Sequence, residues 1–401
     1  MPHLATACVS VFVRGGSLQE SSRLSGISHV IEHMVFKGTR SRDRRRINLE
    51  AESLGAEVNA HTDKDHTAFH LQGLAAHATR FVAMLGDLVQ HASFPADELE
   101  RERQVLLAEL DEDEDDPMST AFKLLDKTSY GAHPMARSVI GSRANIERFS
   151  QAELLAHHGA HYTGANVIVA AAGALDHAQI ERAAQAAFGA MAAGTACVVE
   201  PAMHVGGLAS RRVSGTGQAH LVLGLPIAAR AQDDGLHAVA AAVLGEGMSS
   251  PLMERLREER GLVYYAACSA DVFEAAGQLV IEASMAPNHF DECLTEAMRL
   301  LRLQATRVQP VDLERARHQI LVRHLRAQER ASQWLEDAAL DLFALGRIRS
   351  LAERSERIQA VTAPAVRDAF QAMLAAGPTV AASGQLGRGV RERMRSAIQA
   401  P

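Results

Sequence analysis

A chain of 401 residues with 47% hydrophobic and 22% charged side chains has the make-up of an ordinary globular protein, long enough for two or more domains. A net charge of −7 and only 4% aromatic residues exclude a basic footprint for nucleic acid or an anionic membrane, and platforms on which bases stack. The four cysteines (Cys8, Cys197, Cys268, Cys293) form no C-x-x-C pair, no apolar run approaches 18 residues, and no basic leader precedes an apolar core. These features exclude a disulfide framework and a membrane span and lead to the expectation of a cytoplasmic protein.

Residues 5–13 (ATACVSVFV) are short, β-branched and closed by Arg14-Gly15-Gly16, the pattern of a strand ending in a turn. Gly26 then opens a helix that carries His29, Glu32 and His33. Residues four apart on a helix share a face, so His29 and His33 can offer both imidazoles to one cation, with Glu32 beside them. Neutral imidazole suits zinc, and a carboxylate near the ion but not bound to it is what an attacking water needs as a general base. The order H-x-x-E-H inverts the zinc-peptidase pattern H-E-x-x-H, although a motif this short also occurs by chance on a solvated helix.

Residues 47–54 read as a helix closed by Gly55. The alternation of residues 56–62, followed by 66–71, predicts a β-hairpin. Its histidines, His61, His66 and His70, are expected to be structural or exposed. Apolar residues recur at helical spacing over 76–89, and Pro95-Ala96-Asp97 opens another helix reaching Leu110. Glu102 and Glu109, seven apart, lie on one face of it, which is costly in apolar surroundings unless a cation meets them. The acidic run 111–116, stopped by Pro117, reads as a solvated helix end.

A helix over 146–161, a buried strand over 166–172 and a helix over 177–188 complete the first half. Residues 194–207 lack periodicity and contain Pro201 and Gly206-Gly207, which marks a linker. The second half then repeats the plan. A strand at 219–225 and a helix at 234–244 lead to Gly247-Met248-Ser249 before a further helix, which echoes Gly26-Ile27-Ser28. A strand pair at 263–268 and 278–284 and long helices at 289–304 and 312–343 follow, and residues 379–386 echo 167–175. The second copy carries no histidine pair. The expected organisation is α+β, with domains at 1–194 and 209–401 joined by a linker at 195–208.

With these residues in hand, the chain resembles the pitrilysin/insulinase family of inverted-motif zinc peptidases, most closely its short bacterial members similar to the mitochondrial processing peptidase. His29-x-x-Glu32-His33 and the continuation Phe36-Lys37-Gly38-Thr39 match its signature. The resemblance implies a third zinc ligand about 76 residues beyond the second histidine, where Glu109 stands, and a supporting carboxylate at Glu102. It implies substrate-backbone pairing at Asn59 and Ala60, within Gly55-x-x-x-Asn59-Ala60-x-Thr62, and an Arg/Tyr pair at Arg257 and Tyr264 that stabilises an oxyanion. It also implies one more strand, Leu-Pro-Asn-Gly-like, ahead of the segment that starts this chain. The fold implied is two homologous α+β domains, each a mostly antiparallel sheet flanked by helices, together forming half of a clam-shell chamber. The function implied is a zinc-dependent endopeptidase with one zinc per chain. It would hydrolyse unfolded peptides as a homodimer, or as a heterodimer with a paralogue, with Glu32 as base. The competing reading is a non-catalytic structural subunit of the same fold.

Overall fold

The structure, a computed structural model, describes residues 1, 3–215 and 217–399. In chain order the first elements are β1 (Thr6–Val13), α1 (Ile27–Val35), α2 (Arg44–Ser53), β2 (Glu57–Thr62), β3 (Thr67–Leu74), α3 (Ala78–His91), α4 (Ala96–Asp115), α5 (Pro117–Tyr130), α6 (Arg143–Arg148), α7 (Gln151–His161), β4 (Val167–Gly173) and α8 (His177–Phe188). They are followed by β5 (Gly207–Arg212), β6 (Ala219–Ile227), α9 (Leu236–Gly245), α10 (Pro251–Met253), β7 (Val263–Val272), β8 (Gly277–Met285), α11 (Phe290–Thr306), α12 (Pro310–Gln328), α13 (Ala331–Leu345), α14 (Leu351–Ala360), α15 (Ala363–Ala376), β9 (Thr379–Gly384) and α16 (Val390–Gln399). The class is α+β. No helix among the described residues is long and apolar enough to cross a membrane.

The chain forms two units that interleave its sequence. One contains Met1–Asp111, Arg137–Val199 and Ala327–Ile348; the other contains Glu112–Ala136, Glu200–Arg326 and Arg349–Pro401. The expected contiguous halves therefore exchange one helix each, α5 going to the second unit and α13 to the first.

The first unit is built on a four-stranded antiparallel sheet of order β2-β3-β1-β4. Alternation divides β1 cleanly. Val9 and Val11 face a core with Phe69 of β3, Ile27, Ile31 and Met34 of α1, and Phe81 and Leu85 of α3. Cys8 and Phe12 face the other way, with Ala68 and Ala172, under Leu335 and Ala339 of α13. Each large apolar side chain fully buried here contributes about 1.5–3 kcal/mol. Strand β2 is left at the edge of the sheet.

The second unit has a five-stranded sheet of order β5-β9-β6-β8-β7, with only β5 and β9 parallel. One face packs Leu221, Leu223 and Leu225 against α9, α11 and α15. Ala121 and Leu125 of α5 cover Val222, Val280 and Ala381 on the other. The two units share a plan: a thick helical core on one face of the sheet, and on the other a helix drawn from the opposite half of the sequence.

Three stretches differ from the sequence expectations. The acidic run does not simply end a helix: α4 continues to Asp115, and Asp116 caps α5 by accepting hydrogen bonds from the amides of Met118 and Ser119. Residues 146–161 form two helices, because Ser150 and Glu153 make a reciprocal capping box. The helix expected over 312–343 breaks between α12 and α13, where Arg330 is extended (φ −108°, ψ 108°).

Candidate metal centre

Helix α1 is seated before it presents anything. Glu20 accepts hydrogen bonds from the amides of Gly26 (2.7 Å) and Ser28 (2.9 Å), two N–H groups at the helix start that have no intrahelical partner. Burial pushes the Glu20 carboxyl up to about 7, against the lowering effect of those amides and of Arg137. Gly26 itself has φ +96°, and a Cβ there would stand 2.5 Å from the carbonyl oxygen of Ile140. With Ile27, Val30, Ile31 and Met34 in the core, the helix has one rotational setting, and His29, Glu32 and His33 share its remaining side.

Helix α4 supplies the facing carboxylates. Leu99, Leu106 and Leu110 bury one stripe of it, which aims Glu102 and Glu109 at α1. Nε2 of His29 lies 3.5 Å from Oε1 of Glu109, and Nε2 of His33 lies 3.5 Å from Oε2 of the same group. One donor atom from each of the three lies within 4.8 Å of the others. In a four-coordinate zinc site with bonds of about 2.0–2.2 Å, the ligand atoms stand roughly 3.3–3.6 Å apart, so the cluster fits an ion of this kind.

The supports of the cluster fix its protons. Nδ1 of His33 donates to Oε1 of Glu102 at 2.9 Å, which leaves the lone pair of Nε2 facing Glu109. The other oxygen of Glu102 accepts from Nζ of Lys37 at 2.6 Å. Burial alone would raise the Glu102 carboxyl, but the hydrogen bonds from His33 and Lys37 outweigh it and hold the group below the usual carboxylate range. Glu109 is held low as well, chiefly by His29 beside it.

The cation expected to meet the paired carboxylates thus includes a lysine, and the sequence reading assigned Lys37 no such role. Its position one turn beyond His33 was the available signal. Oε2 of Glu32 and Nδ1 of His29 are buried and have no hydrogen-bond partner among the described residues. A buried carboxylate oxygen left free beside a ligand cluster is a place where a proton donor can be received.

Asn59 and Ala60 lie on the edge strand β2, where the side-chain oxygen of Asn59 accepts from the amide of Ala60 at 2.9 Å. Arg257 and Tyr264 belong to the second unit. After α10 the backbone continues as a π-helical stretch, Glu254–Glu259, that carries Arg257. Tyr264 is the extra residue of a β-bulge, since Val263 pairs with Met285 and Tyr265 with Ser284. The bulge turns its side chain outward, 61% exposed. Arg257 lines a cleft of about 590 Å³ with Met248, Met253 and Tyr265.

Comparison with known proteins adds a family to this geometry. Residues 2–143 match the model described as insulinase (peptidase family M16), and residues 148–320 match that of the peptidase M16 inactive domain. The chain is 27% identical over 386 residues to an uncharacterized zinc protease of Rickettsia bellii, covering 96% of this chain and 93% of that protein. It is 29% identical over 381 residues to cytochrome b-c1 complex subunit 1, mitochondrial, of Bos taurus, covering 90% of this chain and 78% of the other. A protease from Helicobacter pylori shares the fold with a TM-score of 0.87 at 18% identity, over 94% of each chain.

Proposed function

The chain belongs to the insulinase (M16) peptidase family, and on that premise we propose that it is a zinc-dependent endopeptidase acting on unfolded peptides. One observation carries the reading. The Nε2 atoms of His29 and His33 converge on the two oxygens of Glu109, and the unpartnered carboxylate oxygen of Glu32 is buried on the same helix. The three converging residues would hold the ion. When bound, it supplies Lewis-acid polarisation of the scissile carbonyl and makes the attacking water more acidic.

The protein's own groups do the rest. Glu32 takes the proton of the attacking water and returns it to the leaving amine. Glu102 keeps His33 in the Nδ1–H form and is itself held by Lys37, so both act as positioning residues. Asn59 and Ala60 on the edge of the first sheet pair with the substrate backbone as an added strand. Arg257 and Tyr264 donate to the oxyanion as it forms. The working assembly is a homodimer, or a pair with a paralogue, enclosing a chamber that admits peptide and excludes folded protein.

The relationship to a cytochrome b-c1 subunit keeps a non-catalytic role as the second reading. Cleavage of an unstructured quenched-fluorescence peptide, measured beside Glu32→Gln with zinc counted in both, separates the two. The expected result is equal zinc and activity lower by several orders of magnitude in the variant. Wild type that holds zinc and cleaves nothing favours the structural subunit, and wild type that holds none removes the proposal.

A further inference from the structure

A second set of imidazoles lies in the first unit, on the sheet face turned away from α1. Ala60 and its partner Phe69 belong to the core beneath α1, whereas His61 pairs with Ala68, which packs with Phe12 and Leu335 beneath α13. His66 stands one residue ahead of β3. The Nε2 atoms of His61 and His66 are 3.3 Å apart. Oε1 of Glu336, on α13, lies 3.1 Å from the first and 3.3 Å from the second. These three edges are close to the separation of roughly 3.3 Å that ligand atoms take around a tetrahedral ion with bonds of about 2.0 Å.

The surroundings orient the ring of His61 for that use. Nδ1 of His61 faces Nε2 of His70 at 3.4 Å, and Nδ1 of His70 faces Oγ of Ser10 at 2.7 Å. Where His61 donates to His70 and His70 donates to Ser10, one of the two directions these contacts allow, the proton of His61 sits on Nδ1. Its Nε2 lone pair then points into the cluster, as in metal-ligating histidines whose other nitrogen is hydrogen-bonded. The side chain of His66 is 1% exposed, and those of His61 and Glu336 are 38% and 25% exposed, so the cluster is walled on one side and reachable from the other. Two imidazoles and one carboxylate are a ligand set that zinc accepts, with a position left open.

We infer that His61, His66 and Glu336 form a second divalent-metal site, for a zinc-class ion, separate from the His29, His33 and Glu109 cluster. It ties α13, whose Glu336 follows His61 by 275 residues, to the hairpin whose edge strand carries Asn59 and Ala60. The inference does not depend on the peptidase reading.

The test is equilibrium dialysis of the chelator-stripped full chain against Zn2+ and Co2+, for wild type, Glu109→Gln, Glu336→Gln and the double variant. The result expected is about two ions per chain in wild type, one in each single variant and none in the double. Wild type that saturates at one ion, kept by Glu336→Gln, overturns the inference and leaves the cluster as ion pairs only. One ion kept by Glu109→Gln and lost in Glu336→Gln supports this site while removing the first. Circular dichroism checks that the variants fold, and His61→Gln on the exposed edge repeats the test if Glu336→Gln does not. As a second readout, zinc should raise the melting temperature of Glu109→Gln and leave that of the double variant unmoved.

Discussion

Nδ1 of His33 donates to Glu102 across 2.9 Å, linking the second histidine of the motif helix to a carboxylate on α4. The bond fixes the ring's tautomer and its rotation, so the lone pair on Nε2 has one direction. Glu102→Ala removes that constraint and also strips Lys37 of its 2.6 Å partner. Because the supporting contact lies outside the proposed ligand set, the expected outcome is zinc affinity weakened by about 10–100-fold, with the fold retained. Competition against a chelator of known affinity, with circular dichroism on the same samples, measures both.

His157 on α7 sets an acid limit. Its ring stacks on that of His161 at 4.1 Å and approaches Oγ of Ser28 at 3.5 Å, so it braces α7 against α1. Burial, reinforced by the charges of His161 and His158, pushes it down to about 3 from the ordinary 6.5. A folded-state value below the unfolded one means that the unfolded chain takes up the proton first. The contribution of His157 is therefore full above about 6.5 and is lost as pH falls toward 3. Between pH 6.5 and 4.5 wild type should lose roughly 2 kcal/mol relative to His157→Asn, the slope approaching about 1.4 kcal/mol per pH unit below the unfolded value. Urea melts of both proteins across that range decide it, and parallel curves would show that His157 is not the group responsible.

Much of the first sheet was readable because its signals are local. The β-branched run over 5–13, the alternation of the hairpin, and the helical spacing around His29 and Glu102 survive in the structure as β1, β2, β3, α1 and α4. Two misses had signals that were present. Ser150 and Glu153 spell a capping box, and Asp116-Pro117, where the acidic run reads as ending a helix, is a helix start with an N-cap and a proline in the first turn. The break at Arg330 had no signal, since neither glycine nor proline interrupts the periodicity there. The exchange of α5 and α13 between units, and with it the meeting of Glu336 with His61, depends on packing between distant segments that no local pattern encodes.

Gly26 limits how the motif helix can be altered. Its φ of +96° disfavours any residue with a Cβ, and the added atom would press within 2.5 Å of the Ile140 carbonyl oxygen and 2.8 Å of the Cα of Gly141. Gly26→Ala is expected to cost about 2 kcal/mol or more, and the helix start must shift to relieve the clash. Because Glu20 grips the amide of residue 26, the shift reaches the histidines three and seven residues on. A lower melting temperature together with weaker zinc binding is the expected pair of results. A stability loss with zinc affinity unchanged would show that the helix is positioned by its core face alone.

Tyr264 offers a test of chemistry that leaves the fold aside. The bulge between Val263 and Tyr265 places its side chain in solvent, where it packs on little, so Tyr264→Phe removes a hydroxyl and almost no contact area. If that hydroxyl donates to the developing oxyanion, its loss should lower kcat by about 100-fold or more with KM nearly constant, since the interaction strengthens only as the charge develops. Zinc content and melting temperature should match wild type, because both proposed metal sites lie in the other unit. Tyr265 is the natural control. It neighbours Tyr264 in sequence, but its hydroxyl donates to Glu282 at 3.0 Å. Tyr265→Phe should therefore leave kcat near the wild-type value, and equal losses in the two variants would assign the effect to the strand and not to the hydroxyl of Tyr264.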